Sequence, residues 1–260
     1  MSRQLVLAKR AALAVALLLV VGVALGLAAL FTPAWLAADG VSTDVVAPGQ
    51  RFVRVVVGEV DTCVTLESVA TGKQRKTCYA TFPTGRGKSS ITSVTTNATV
   101  TPDGVCSEDD LAAVAGHLGI PERLRIASIW RHQCGVVHWV TVFAQVFSVV
   151  AAAFVVLEML YFSHRGVALV LSDDELHPWL RAAAPGVSVP LMAVVLVLWG
   201  VVTKEPGFRL SQSFSMAVVA TVSYVVGSVG ILARSVFLRR FVAAPIPTTA
   251  PVLPIHVQQP

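Results

Sequence analysis

Four long apolar stretches constrain the fold of this chain more than any other feature of its sequence. Glu158 is the only Asp, Glu, Lys or Arg within them. A helix needs roughly 20 apolar residues to cross a bilayer, because each backbone N–H and C=O must find its partner inside the helix there. The sequence therefore predicts an all-α membrane protein, a four-helix bundle in the lipid bilayer, with spans at 11–31, 136–162, 182–203 and 214–233.

Basic residues in the short connecting segments predict the orientation of the bundle. Short cytoplasmic segments carry an excess of Lys and Arg. Eight such residues lie in segments 1–10, 163–181 and 234–260, the last of which is a Pro-rich tail, against two in segment 204–213. We therefore expect cytoplasmic termini, and exported segments at 32–135 and 204–213. The formal charge of +5 is spread over loops and tails, which is unlike the basic patch of a nucleic-acid-binding protein.

All four cysteines lie in the exported segment 32–135 and predict disulfides there. They are Cys63, Cys78, Cys106 and Cys134. Disulfides persist in oxidising compartments, so two bridges are expected outside the cell. Four cysteines allow three pairings, and the sequence does not choose between them. Asn97 begins an Asn-Ala-Thr glycosylation acceptor, which has meaning on that same side.

The exported segment is expected to hold a small, disulfide-stabilised sheet. Its stretches rich in β-branched residues predict short strands at 51–57, 77–82 and 93–100. Ser107 is expected to cap a short helix. A second helix is expected to start at Pro121 and to run into span two as one rod, because no helix breaker occurs before Gly135. Trp35, just after span one, is expected at the membrane–water interface.

No residue pattern indicates an enzyme, so neither catalytic residues nor a cofactor is predicted. The stretch 85–89 resembles the end of a phosphate-binding loop, but Phe82 stands where that loop needs glycine. His132, Cys134 and His138 together resemble a zinc ligand set. Because Cys134 is needed for an even number of disulfide partners, no metal site is predicted, and the two histidines are interpreted as pH-sensing groups.

Two features of the spans have a packing interpretation and a functional one. Glu158 lies near the cytoplasmic end of its span, where it can snorkel to the interface or pair with a basic neighbour; the alternative is a proton or ion conduit through the bundle. Gly22 and Gly26 form a GxxxG spacing that lets another helix approach closely. That helix is expected within the same bundle, with a homo-oligomer as the alternative.

The first cysteine pair carries a family resemblance. Cys63, Val64, Thr65 and Leu66 match the opening of the signature of the amastins, four-span surface glycoproteins of trypanosomatid parasites. Arg75, Thr77 and Cys78 fit its close. Glu67 replaces an aromatic position, and Gly72 aligns when an insertion between the cysteines is allowed. The chain thus resembles a divergent amastin.

The resemblance implies a plasma-membrane protein that acts in cell-surface or host–parasite interaction, with a ligand bound through residues 32–135. Claudin-like cell-contact proteins are the alternative, since they also have a cysteine pair in the first exported segment and a Trp just after span one. Their Gly-Leu-Trp before the first cysteine is replaced here by Val60, Asp61 and Thr62.

Overall fold

The structure, a computed structural model, describes residues 3–32, 34–41, 44–82, 91–92, 99–100, 104–165 and 178–242. Its α-helices are α1 (Arg3–Phe31), α2 (Leu111–His117), α3 (Ile126–His132), α4 (His138–Arg165), α5 (Pro178–Val197) and α6 (Gln212–Val242). A π-helical turn, Gln133–Val137, joins α3 to α4, and another, Leu198–Val202, follows α5.

Four helical segments are long and apolar enough, by length and composition, to cross a membrane. They are Arg10–Phe31, Ile126–Leu157, Pro185–Val202 and Gln212–Ala233, which confirms the predicted number of such helices. Large apolar side chains cover the outside of the bundle; Phe143, Phe154 and Leu157 are examples, each more than three-fifths exposed. Soluble proteins rarely expose contiguous apolar surface of this kind, so the pattern indicates helices that face lipid.

Small residues let α1 and α6 approach each other closely. Tyr224 of α6 is fully buried against Gly22 and Gly26, and its hydroxyl donates to the carbonyl of Gly22 at 3.3 Å. A Cβ at Gly22 would lie 3.0 Å from the Tyr224 ring. In return, Gly227 of α6 leaves room for Leu19 of α1, whose Cδ2 atom lies 2.5 Å from an ideal Cβ. The GxxxG glycines thus serve packing within the chain; the homo-oligomer is a separate prediction.

Strands from both predicted exported segments form one antiparallel sheet. Its strands are β1 (Leu36–Asp39), β2 (Val45–Ala47), β3 (Gln50–Val57), β4 (Asp61–Ser68), β5 (Gln74–Ala80) and β8 (Arg209–Leu210), in the order β5-β4-β3-β1-β8 with β2 also on β3. A separate pair is formed by β6 (Ile91–Thr92) and β7 (Thr99–Val100). The predicted strand at 51–57 is therefore present as β3. Residues 93–98, including Asn97, lie outside the described part.

The cysteines form two disulfides, in the pairing Cys63–Cys78 and Cys106–Cys134. The first joins directly opposed residues of β4 and β5, so it closes the β4–β5 hairpin. The second ties the short 3₁₀ turn Val105–Ser107 to the π-helical turn at the top of α4. The sheet region is thus crosslinked once within itself and once to a long helix.

Three local predictions were wrong. Asp110, not Ser107, caps α2, because its Oδ1 atom accepts from the backbone N–H groups of Ala112 and Ala113 at 3.1 and 3.0 Å. The predicted rod from Pro121 is interrupted: Arg125 has a left-handed backbone (φ 47°), so the α-helix begins only at Ile126. Trp35 is fully buried, stacked on another indole 5.1 Å away, instead of lying at an interface.

Candidate functional site at the junction of sheet and helices

A buried contact between a carboxyl group and an imidazole joins the sheet to the start of α4. The tight turn between β3 and β4 is closed by a hydrogen bond from Gly58 N to Asp61 O at 2.9 Å, and it presents the side chain of Glu59 to the helix. Glu59 is fully buried, and its Oε1 atom lies 2.6 Å from Nδ1 of His138. The imidazole is itself about five-sixths buried, with 16% of the side chain exposed. We call Glu59, His138, Gln133 and Phe82 the Glu59 junction.

Gln133 fixes the backbone of the same turn. Its Nε2 atom donates to the carbonyl oxygens of Gly58, at 2.5 Å, and of Glu59, at 3.3 Å. Gln133 and His138 lie on either side of a kink in the helix, and both side chains contact the turn between β3 and β4. Gly135, with non-helical φ and ψ of −94° and −135°, interrupts the helix between them.

Two aromatic rings enclose the imidazole. The ring of Phe82 lies 3.8 Å from His138, centroid to centroid, at an angle of 31°, and Trp139 meets it edge-on at 5.2 Å. Aromatic contacts of this kind, with the burial of Glu59, limit the access of water to the pair and lower the local dielectric. An electrostatic interaction between Glu59 and a protonated His138 is therefore stronger than it is at an exposed surface.

Burial raises the pKa of Glu59 above its ordinary value, and the hydrogen bond and charge of His138 oppose that shift. Burial also raises the pKa of Asp61, which begins the following strand. The Oε2 atom of Glu59 and the Oε1 atom of Gln133 have no hydrogen-bond partner among the described groups. The junction therefore holds a buried carboxyl group with one oxygen against the imidazole and the other without a partner in the described part of the chain.

A second contact layer lies beneath β1. The backbone of Trp35 accepts from Ser211 N at 3.0 Å, beside the β1–β8 pairing. Its ring stacks on Trp199, whose Nε1 atom donates to Oγ1 of Thr141 at 3.2 Å. Ser213, at the start of α6, donates its hydroxyl to the carbonyl of Thr32 at 2.8 Å. The Trp35 ring thus packs on the turn that follows α5, and that turn is hydrogen-bonded to α4.

The structure separates the residues that the sequence grouped as a metal or pH site. His138 belongs to the Glu59 junction, whereas His132 is exposed. Cys134 is bonded to Cys106, and the described residues include no group of three or more His, Cys, Asp or Glu side chains placed to hold a metal ion. Glu158 lies in α4, and its side chain is outside the described part.

The signature-like residues all lie in the β4–β5 hairpin. Val64, Thr65 and Leu66 follow Cys63 along β4, while Arg75 and Thr77 precede Cys78 on β5. Gly72 lies in the connecting turn with a φ of +65°, a conformation that favours glycine over residues with a side chain. The motif therefore specifies a closed hairpin.

Sequence reasoning missed Glu59, Gln133 and Phe82. A carboxylate in a four-residue turn between two β-rich stretches normally faces solvent, so nothing nearby in the sequence marked Glu59 as buried. Gln133 offered a weak signal, as an uncharged polar residue among apolar neighbours just before span two. Both depend on contacts between residues more than 70 positions apart.

These observations define a class: a chain with four helices of membrane-spanning length and composition, and a disulfide-bonded sheet attached to one end of them. In comparisons with known proteins, the sequence matches no protein-family model and no curated protein.

Proposed function

We propose that this chain is a non-enzymatic, multi-pass protein of the plasma membrane, resembling the amastins, that binds a surface or host ligand through its exported sheet. The supporting observation is the attachment of the sheet: strands from two separate segments form it, and the Glu59 junction and the Trp35–Trp199 stack hold it on the helices. The Cys106–Cys134 disulfide adds an indirect link, because Cys106 N donates to Thr81 O just after β5. A sheet held this firmly presents a pre-organised surface, which lowers the entropic cost of binding.

The β4–β5 hairpin is the part of that surface best suited to contact a ligand. β5 forms one edge of the sheet. The turn that precedes β5 and the first three residues of β5 are exposed. Lys73, Arg75 and Lys76 are among these exposed residues, and they form no ion pair with the described acidic side chains. A basic edge favours anionic partners such as acidic glycans or acidic protein segments, whose association depends on ionic strength.

Binding of the full-length protein in lipid nanodiscs to cultured cells tests this proposal. Reversing the hairpin charges together (Lys73→Glu, Arg75→Glu, Lys76→Glu) is expected to reduce binding and its salt dependence. The matched control makes the same charge change at exposed basic residues away from the hairpin: Arg125→Glu, Arg131→Glu and Lys204→Glu.

Disulfide reduction supplies the second arm of this test. Opening Cys63–Cys78 releases the hairpin, so binding should fall after reduction of the protein in nanodiscs. Absence of binding by the wild-type protein, or equal binding before and after reduction, would count against a role for the sheet. Equal losses in the hairpin and control variants would point to non-specific charge attraction.

Conduction of protons or ions through the bundle is the second candidate function. Buried polar side chains on α4 favour it: Thr141, Gln145 and Ser148 are each at most 1% exposed. If it holds, wild-type protein in liposomes dissipates a pH gradient and Glu158→Gln abolishes the flux. Liposomes that stay tight with wild-type protein would end this candidate. Claudin-like cell contact is tested by the same cell-binding assay with cells that express the protein themselves.

A further inference from the structure

One face of α4 is polar inside the bundle. Thr141, Gln145 and Ser148 follow His138 at spacings of three, four and three residues, which places all four side chains on the same side of a helix. The opposite side carries the exposed apolar residues already described, including Phe143. The polar face therefore turns toward the other helices, where α-helical bundles normally place apolar side chains.

Near His138, the polar side chains of this face have hydrogen-bond partners within the protein. Thr141 accepts the indole N–H of Trp199, as described above. Further along the helix the pattern changes. Both the Nε2 and Oε1 atoms of Gln145, and the Oγ atom of Ser148, are buried without a hydrogen-bond partner in the described part of the chain. Since residues three apart on a helix are neighbours, these three atoms face a common region.

The hydrogen-bonding chemistry of these atoms indicates which ligand they can bind. Gln145 offers N–H donors and an acceptor oxygen, and a hydroxyl both donates and accepts. A metal cation would meet the amide N–H groups, and no Asp or Glu side chain lies on this stretch of the helix to offset its charge. Water both donates and accepts, and a buried water typically makes about three hydrogen bonds to otherwise unsatisfied groups.

We propose that Gln145 and Ser148 anchor ordered water at the centre of the helix bundle. This site lies below the Glu59 junction along α4: the ten residues from His138 to Ser148 span about 15 Å, roughly half of a bilayer's hydrocarbon core. The water satisfies three buried polar atoms and continues the polar face from His138 and Thr141 into the bundle. It is a binding site in its own right, independent of whether the bundle conducts.

Solid-state NMR of the full-length protein in bilayers tests the site. With ¹⁵N-labelled glutamine and tryptophan, magnetisation is transferred from the water proton line to side-chain nitrogens. A Gln145→Met sample identifies the Gln145 signal by its loss. Exposed Gln74 serves as the positive control. The indole of Trp199 is the negative control, since it is buried and bonded to Thr141.

Transfer from water to Gln145 but not to the Trp199 indole is the expected result, and Ser148→Ala should abolish or strongly reduce it. No transfer to Gln145, while Gln74 responds, overturns the proposal. If transfer to Gln145 persists in Ser148→Ala, Ser148 does not help to hold the water, and the proposed site with two anchoring residues is wrong. If transfer to the Trp199 indole equals transfer to Gln145, water is distributed through the bundle and does not occupy a discrete site. The wild-type measurement stands even if a variant folds poorly.

Discussion

Removal of the imidazole from the Glu59 junction should destabilise the protein in a pH-dependent way. In His138→Leu, Glu59 stays fully buried but loses the imidazole that lies 2.6 Å from its Oε1 atom. Breaking a buried pair by removing one member typically costs about 3–5 kcal/mol, because an uncompensated charge is left inside. We expect the loss to be larger at pH 8 than in acid, because rising pH favours the charged form of the buried Glu59 carboxyl group.

The penalty should shrink in acid. Burial raises the pKa of Glu59 above its ordinary value of 4.5, so the native state binds a proton more tightly than the unfolded state. The stability that this proton contributes is fully present below pH 4.5, the pKa of the unfolded state. It is lost as the pH rises through the higher pKa of Glu59 in the native state. With the carboxyl protonated, His138→Leu leaves only a neutral group with unmade hydrogen bonds, which costs about 1–3 kcal/mol.

A double-mutant cycle separates the pair from its surroundings. Glu59→Gln mimics the protonated carboxyl, so this variant should show a flatter dependence of stability on pH, and adding His138→Leu to it should cost less than in the wild type. The matched control is His132→Leu, since that imidazole is exposed. Its effect should stay within about 0.5 kcal/mol.

Equilibrium unfolding in mixed micelles with increasing SDS measures these differences, through the intrinsic fluorescence of the five tryptophans. Buried Trp130 contributes to this signal, and its indole donates to Thr62 of the sheet at 3.1 Å. The reasoning is refuted if His138→Leu costs the same at pH 4.5 and pH 8. It is also refuted if His138→Leu costs as much at pH 8 in the Glu59→Gln background as in the wild type, because the penalty would then not come from a buried carboxylate.

Three further predictions concern a disulfide, the contact between α1 and α6, and the cap of α2. Replacing both Cys106 and Cys134 with Ser should lower the free energy of unfolding by about 3–4 kcal/mol in the chain-entropy estimate for a loop of this length, measured by the same SDS titration; an unchanged midpoint would contradict it. Gly22→Leu should destabilise the bundle by about 1–3 kcal/mol through overpacking, whereas Tyr224→Phe should cost about 0.6 kcal/mol, and crosslinking should show whether oligomerisation changes with either. Asp110→Ala should cost about 1 kcal/mol by removing the helix cap, with Asp110→Asn retaining most of the stability.

The acidic turn between β3 and β4 shows the limit of reading this sequence alone. The strands on either side are marked by β-branched residues, and the turn by its glycine, so the local structure around Glu59 follows from local preferences. Its burial does not, because the partners His138 and Gln133 approach it only when the helix packs under the sheet. Similarly, β8 is two residues long and has no strand pattern of its own; its pairing with β1 is decided by where α5 and α6 place it.

Three features follow from the sequence alone: the four apolar helices, the location of all four cysteines between the first two of them, and the β-rich character of that region. These depend on the length, composition and period of contiguous residues, and a helix in an apolar solvent must satisfy its own backbone. Tertiary structure decided the cysteine pairing, the burial of Trp35, the break of the helix at Arg125 and the buried Glu59–His138 pair. Each of these is set by which distant surfaces come together, and the energy of such a contact belongs to the pair and not to either stretch of sequence.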